Sequence, residues 1–293
     1  MNASGTTRVD RHRTPAAFLD TAGDFLAARE AEHNLIFGVC ATLAADPGYA
    51  TDPYFATVST GGRVVAAAIM TPPWNLVLSC TEEPDTLDDL AADLDDRGIS
   101  IPGVTGPVDI ARDFAESWCR AHGLTTGARL AERVYRLERV VPPDGVPGRV
   151  RLASETDRDL LVEWVGAFME EALDRADPDH ASTMIDRSFR TGSRTWYLWD
   201  DGGPVSVAAA GGPTPNGIRI GPVYTPPDRR RRGYASALTA ATSQAELDKG
   251  RRFIFLFTDL ANPTSNKIYQ ANGYEPVIDI DQVTFVPADP GQP

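Results

Sequence analysis

Apolar positions along this chain follow two rhythms, and the switches between them mark out its elements. From residue 18 to residue 43, Phe18, Phe25, Leu26, Leu35, Ile36, Val39 and Leu43 recur at roughly helical spacing until Asp46-Pro47-Gly48 stops the pattern. Residues 1–14 are polar and predict loose chain. Residues 54–58 and 64–70 then read as a strand pair across Thr60-Gly61-Gly62, and 74–79 is another extended apolar run. An acidic helix over 85–96, a helix over 108–122 closed by Gly123, and a strand over 133–141 complete the first half.

The segment Pro142-Pro143-Asp144-Gly145-Val146-Pro147-Gly148 can continue neither a helix nor a central strand, so it reads as a linker. Beyond it the order begins again. A short strand over 150–152 leads to Ser154 and Asp157, which cap a helix from 155 to about 173. A second helix covers 180–190. Strands follow at 195–199, 204–210 and 218–224, then a helix over 233–249 stopped by Gly250. Residues 253–258 form a near-continuous apolar strand, as expected when both faces are covered. A short helix over 263–271 and a strand over 283–286 end the chain. This is α+β order with a mostly antiparallel sheet and one β–loop–α–β crossover. The shared order of the halves points to an ancient duplication. We therefore expect domains over 1–141 and 149–293, joined by 142–148.

Charge narrows the function. The formal net charge of −13 argues against a nucleic-acid binder. Residues 1–145 hold 21 acidic against 12 basic side chains, and 146–293 hold 20 against 16, so the four consecutive arginines at 229–232 form a local basic spot. Cys40, Cys80 and Cys119 lie far apart with no Cys/His cluster, which indicates neither zinc nor a disulfide framework. No apolar run reaches transmembrane length, so a cytoplasmic protein without a membrane partner is expected. Two lysines against 26 arginines suggest a bacterial, GC-rich coding bias.

Candidate chemistry concentrates in residues 223–274. The strand over 218–224 ends at a Pro-Pro pair, after which Arg230-Arg231-Arg232-Gly233-Tyr234-Ala235-Ser236 runs straight into a helix. A helix start presents unpaired N–H groups and partial positive charge, and Gly233 and Ala235 let an anion approach the backbone. Flanking arginines add attraction, and the whole suits a pyrophosphate. A surface arginine run before an ordinary helix is the plainer alternative. Thirty residues on, Asn262 caps and Pro263 opens a short helix that Asn272-Gly273 closes. Asn262, Asn266 and Tyr269 share one face of it.

This stretch, an R-x-x-G-x-A loop on a helix followed by N-P-x-x-N-x-x-Y-x-x-x-G-Y, resembles the acyl-CoA signature of the GCN5-related N-acetyltransferase (GNAT) superfamily. The resemblance implies a mixed, mostly antiparallel sheet flanked by helices, with acetyl-CoA as cosubstrate in a gap between splayed central strands. It implies that the backbone of Val223 and Thr225 pairs with the pantetheine amides. Amides of residues 231–236 would bind pyrophosphate, Asn262 and Asn266 would touch the pantetheine arm, and Tyr269 would be the general acid. Glu170 and Glu171 are candidates for the base, beside Asp177, Asp179, His180 or a water chain.

In the first half, residues 101–107 and 114–118 resemble a second, degenerate copy, making two GNAT-like domains. Its counterpart of the phosphate loop is Cys80-Thr81-Glu82-Glu83-Pro84-Asp85, whose carboxylates repel pyrophosphate. The expected partner is a small-molecule or peptide amine acceptor, and the chain a monomer or homodimer. A non-catalytic acyl-CoA sensor is the competing reading.

Overall fold

A computed structural model describes residues 6–173 and 178–288. The chain divides into two compact units, one of Met1–Val134, Asp259–Ala261 and Val277–Pro293, the other of Tyr135–Thr258 and Asn262–Pro276.

In the first unit the order is β1 (Thr7–Arg11), α1 (Pro15–Ala27), α2 (Asn34–Ala45), β2 (Tyr54–Thr60), β3 (Arg63–Met70), β4 (Leu76–Leu78), α3 (Thr86–Asp96), β5 (Gly103–Pro107) and α4 (Val108–His122). Then β6 (Leu124–Leu137) carries the chain across the division at Val134. The unit's strand order is β1-β2-β3-β4-β5, completed by the last strand of the chain. Alternation sends Tyr54, Ala56 and Val58 into one core with Leu90, Phe114 and Trp118, while Phe55 enters a second core with Phe18, Ile36 and Leu43. Both sheet faces are therefore covered. Residues 7–11, expected to be loose, form an edge strand antiparallel to β2. Its sequence has one apolar residue, Val9, because an edge strand gains its order from pairing more than from burial. The single helical stretch expected over 18–43 is two helices. Asn34 Nδ2 donates to Ala31 O at 2.7 Å and His33 Nδ1 lies 2.9 Å from Leu26 O, side-chain bonds that break the backbone ladder between them.

The second unit runs β7 (Arg149–Leu152), α5 (Arg158–Leu173), α6 (Pro178–Thr191), β8 (Arg194–Asp200), β9 (Pro204–Gly211), β10 (Gly217–Tyr224), α7 (Tyr234–Asp248), β11 (Phe253–Asp259) and α8 (Pro263–Ala271). Its strands lie in the order β11-β10-β9-β8-β7, all antiparallel neighbours except β10 and β11. Trp196, Leu198, Val207 and Ala209 pack under α5 and α6 with Trp164, Val165 and Ile185, while Tyr197, Ala208 and Ala210 face Leu238, Ile254 and Tyr274 on the other side. This is an α+β fold with a mostly antiparallel sheet and helices on both faces.

Residues 142–148 belong to this unit. Val146 packs against its core and Trp199 Nε1 donates to Pro147 O at 2.8 Å, so these prolines pack on the second unit as a fixed strap. The final strand β12 (Glu275–Pro287) is longer than the expected 283–286, and its residues from Val277 belong to the first unit. There it pairs antiparallel with β5 and buries Val283 in the core. No helix among the described residues is long and apolar enough to cross a membrane.

Candidate active site

The site begins where two parallel neighbours part. β10 pairs with β11 only over Gly217–Arg219 against Phe253–Phe255. Past that point β10 takes an extra residue: between Ile220 and Val223 its partners on β9 advance only from Ala210 to Ala208. This bulge contains Gly221, at φ +152°, and Pro222. Beyond the bulge Tyr224 O turns toward β9, where Ser206 Oγ donates to it at 2.9 Å. By strand alternation the backbone N–H and C=O of Val223 turn the other way, toward the side that β11 has left.

A proline-rich turn then delivers the chain to α7. Arg231 sits at φ +62° and Gly233, the helix cap, at φ +82°. No side chain caps this end, and among the described residues the N–H groups of 231–236 reach no acceptor, the first helical bond being Ala237 N to Gly233 O. Donors turned outward by left-handed residues, on a helix terminus with partial positive charge, form an open anion cradle. Gly233 is required twice over. Its φ disfavours any L side chain, and an added Cβ would lie 2.8 Å from Val146 Cγ2.

The arginines divide their labour. Arg230 donates from Nε to Thr225 O at 2.9 Å and from Nη2 to Glu171 at 2.6 Å, and lies 5.6 Å over the Tyr224 ring. Arg230, Thr225 and Glu171, three of the residues expected to act on ligand or substrate, are thus bound to one another, and the carbonyl of Thr225 and the carboxylate of Glu171 already have partners. Thr225 Oγ1 is 2.8 Å from Ser206 Oγ. Arg229 pairs with Asp228. Arg231 and Arg232 remain exposed beside the cradle. Tyr234 is buried and donates its hydroxyl to Asp201 at 2.5 Å, so it offers a ligand only its backbone; Ala235 and Ser236 complete the turn.

Across from this terminus stands α8. Asn272 accepts from Ser236 Oγ at 2.8 Å and donates back to Ser236 O at 3.0 Å, fastening the end of α8 to the first turn of α7. The helix starts as its sequence suggests, with Asn262 Oδ1 accepting from Ser265 N at 3.0 Å. Asn266 spends its side chain on structure too, accepting from Tyr135 Oη at 3.0 Å and donating to Asn262 O at 2.8 Å. Tyr135 had no signal in the sequence, since it reaches this helix across 131 residues.

Tyr269 differs from its neighbours. Its ring is half-buried, packs against the same core as Val223, Ile254 and Leu256, and lies 6.0 Å edge-on to Tyr274. Its hydroxyl makes no hydrogen bond among the described residues. Desolvation by burial pushes this phenol up to about 12, so it stays protonated through the physiological range. Glu170 is exposed at the end of α5 without an ion pair among the described residues. Asp179 and His180 follow at the start of α6, whereas Asp177 lies outside the described residues. No group of side chains among the described residues could hold a metal ion.

Three comparisons bear on this arrangement. The model of the acetyltransferase (GNAT) family matches residues 158–274. No curated protein matches the chain. Among solved structures, a Drosophila protein aligns over 96% of this chain and 99% of its own, with a TM-score of 0.67 at 12% identity. A GCN5-related N-acetyltransferase from Sphaerobacter thermophilus covers 96% of each chain at TM-score 0.61 and 16% identity. A tandem GNAT protein from the clavulanic acid biosynthesis pathway covers 97% of this chain and 100% of its own, at 0.58 and 14%. At such identities the likeness is one of fold.

Proposed function

We propose, for a chain whose residues 158–274 match the model of the acetyltransferase (GNAT) family, that it moves an acetyl group from acetyl-CoA to a primary amine by direct attack within a ternary complex. The observation that carries this reading is the open cradle of backbone donors at 231–236, placed at the end of the strand that parts from β11.

The residues present fit the cosubstrate. N–H groups of 231–236 and the exposed Arg231 and Arg232 match a pyrophosphate, and the outward backbone of Val223 matches a pantetheine amide or the thioester oxygen. Asn262 and Asn266, held by their own bonds, border the path of the arm. Acetyl-CoA brings the activated acyl group; the chain supplies position and protons. Holding donor and acceptor together accounts for most of the expected acceleration.

Tyr269 faces no competing acceptor, and a phenol near 12 is a weak acid beside a thiol near 8.5. Full proton transfer from this phenol to the freed thiolate is uphill. The phenol therefore acts as the general acid by donating a hydrogen bond to the sulfur as charge gathers there, and the freed thiolate takes its proton from solvent. A primary amine arrives largely as ammonium and must lose a proton first. Glu170 is the carboxylate we assign to that step, Glu171 being the counter-ion of Arg230. The acceptor is a small-molecule or peptide amine.

A thiol-release screen with acetyl-CoA over polyamines, aminoglycosides, amino acids and peptide N-termini tests the proposal. Turnover with one class, reduced about 10²-fold in Tyr269→Phe with little change in KM for acetyl-CoA, is expected. Tight CoA binding with no thiol release across the panel would instead make the chain an acyl-CoA sensor.

A further inference from the structure

We propose that Arg194 is a positioning residue for acyl transfer, a strut laid across β9 that holds β10 in its bulged path and keeps the Val223 N–H turned to the opening. The inference rests on the acyl-CoA reading of the site and adds to it a residue outside every motif of that site.

Arg194 opens β8, where it sits opposite Gly211 of β9, and Gly211 in turn sits opposite Arg219 of β10. From there Arg194 Nη1 donates to Gly221 O at 2.9 Å, two strands away. The side chain can make this crossing only because Gly211 has none. A Cβ built at Gly211 would lie 2.7 Å from Arg194 Cγ and 3.4 Å from its Nη1, with the backbone oxygen of Ser193 at 3.1 Å. At Gly221 the requirement is of another kind. A Cβ there would meet nothing within 4 Å, but the φ of +152° is one that L residues rarely adopt. One glycine clears the strut and the other accepts it.

The place of contact gives the strut its consequence. Gly221 begins the extra-residue stretch at which β10 leaves β11, and Pro222 next to it has no N–H to give the ladder. The charged donor of Arg194 anchors this otherwise weakly bonded stretch. A bulge released from its anchor can slide by one residue, and a one-residue slide exchanges the two sides of the strand. Val223 would then turn its N–H away from the opening. Because the strut acts on the Val223 backbone and not on the pyrophosphate cradle at 231–236, its removal should harm the chemical step more than the binding of CoA.

The test uses the full chain with Arg194→Gln, Arg194→Lys and Gly211→Ala. CoA binding is followed by calorimetry, thiol release with the best amine, and exchange of the Val223 amide by NMR. Expected are a Kd for CoA within about threefold of the parent, kcat lowered on the order of 10²-fold in Arg194→Gln and Gly211→Ala, and partial rescue in Arg194→Lys. The double variant Arg194→Gln/Gly211→Ala should be no worse than either single one. Val223 exchange should slow at least about tenfold in Arg194→Gln, because its N–H then turns from the opening onto β9. Parental kcat and unchanged exchange in Arg194→Gln would overturn the proposal, as would equal loss of kcat, CoA affinity and thermal midpoint in both Gln and Lys variants. A parent that binds no CoA would sink the acyl-CoA reading separately, while the exchange measurement still decides whether the strut holds β10.

Discussion

Gly233 answers two demands with one missing atom: a left-handed turn into α7, and room for Val146. Gly233→Ala would cost roughly 1–2 kcal/mol in backbone strain alone, before Val146 moves. The strain falls on the N–H groups that form the cradle, so calorimetry should find CoA binding at least about tenfold weaker, and the thermal midpoint should fall. An unchanged Kd would separate the cradle from the ligand. Tyr269 permits a prediction in pH. Its folded pKa lies above the value of about 10 in an unfolded chain, so the stability it contributes is complete below pH 10 and is lost as pH rises toward 12. Base titration of the fluorescence-monitored unfolding midpoint should therefore turn down later in Tyr269→Phe than in the parent. Glycine and tyrosine were both legible in the sequence, because the features that mark them are local: a helix start at 233 and an i, i+4, i+7 face on a nine-residue helix. The partners of Arg230, Asn266 and Arg194 were not. Glu171, Tyr135 and Gly221 lie 59, 131 and 27 residues away, and nothing local announces a bond closed by the tertiary fold.

Elements show the same division. The start of α5 is encoded locally: Ser154 and Asp157 form a capping box, and Arg151 clamps Asp157 with bonds of 2.7 and 2.8 Å. That guanidinium holds the carboxyl down at about 2. A lowered pKa stabilises the fold above the unfolded value near 3.9, and the contribution disappears as pH falls toward 2. Asp157→Asn should thus cost about 0.5–2 kcal/mol at pH 7 by thermal or urea unfolding, with the difference from the parent shrinking between pH 4 and pH 2. A difference that stayed constant with pH would mean the ion pair contributes nothing. β1 and the long β12 escaped the sequence for a different reason. Edge pairing organises Thr7–Arg11, and Glu275–Pro287 mixes acidic and apolar residues because its partners include Arg129 and Arg133 at Asp281 and Asp279. Neither strand advertises a fully apolar face.

At the scale of the molecule, a net charge of −13 opposes an anionic cosubstrate, yet screening in physiological salt acts over about 8 Å. Only the nearest charges then count, and Arg231 and Arg232 are the exposed arginines beside the cradle without an ion pair among the described residues. Arg231→Ala/Arg232→Ala should weaken CoA binding about three- to tenfold at low salt and less at 0.5 M, whereas a variant far from the site should not. The two units repeat one order of elements, yet only the second has a glycine-started helix after its central strand. In the first, α3 is preceded by Glu82 and Glu83 and carries Asp88 and Asp89 in its first turn, charges that disfavour a phosphate there. One anion site, at residue 233, is therefore what we propose for the chain. Calorimetric titration of the parent chain with CoA and, in parallel, with pantetheine, which has the arm and no pyrophosphate, measures this most directly. One CoA per chain is expected, bound at least about a hundredfold more tightly than pantetheine, with the advantage largely lost in Gly233→Ala. Equal binding of the two ligands, or CoA binding indifferent to that substitution, would contradict it.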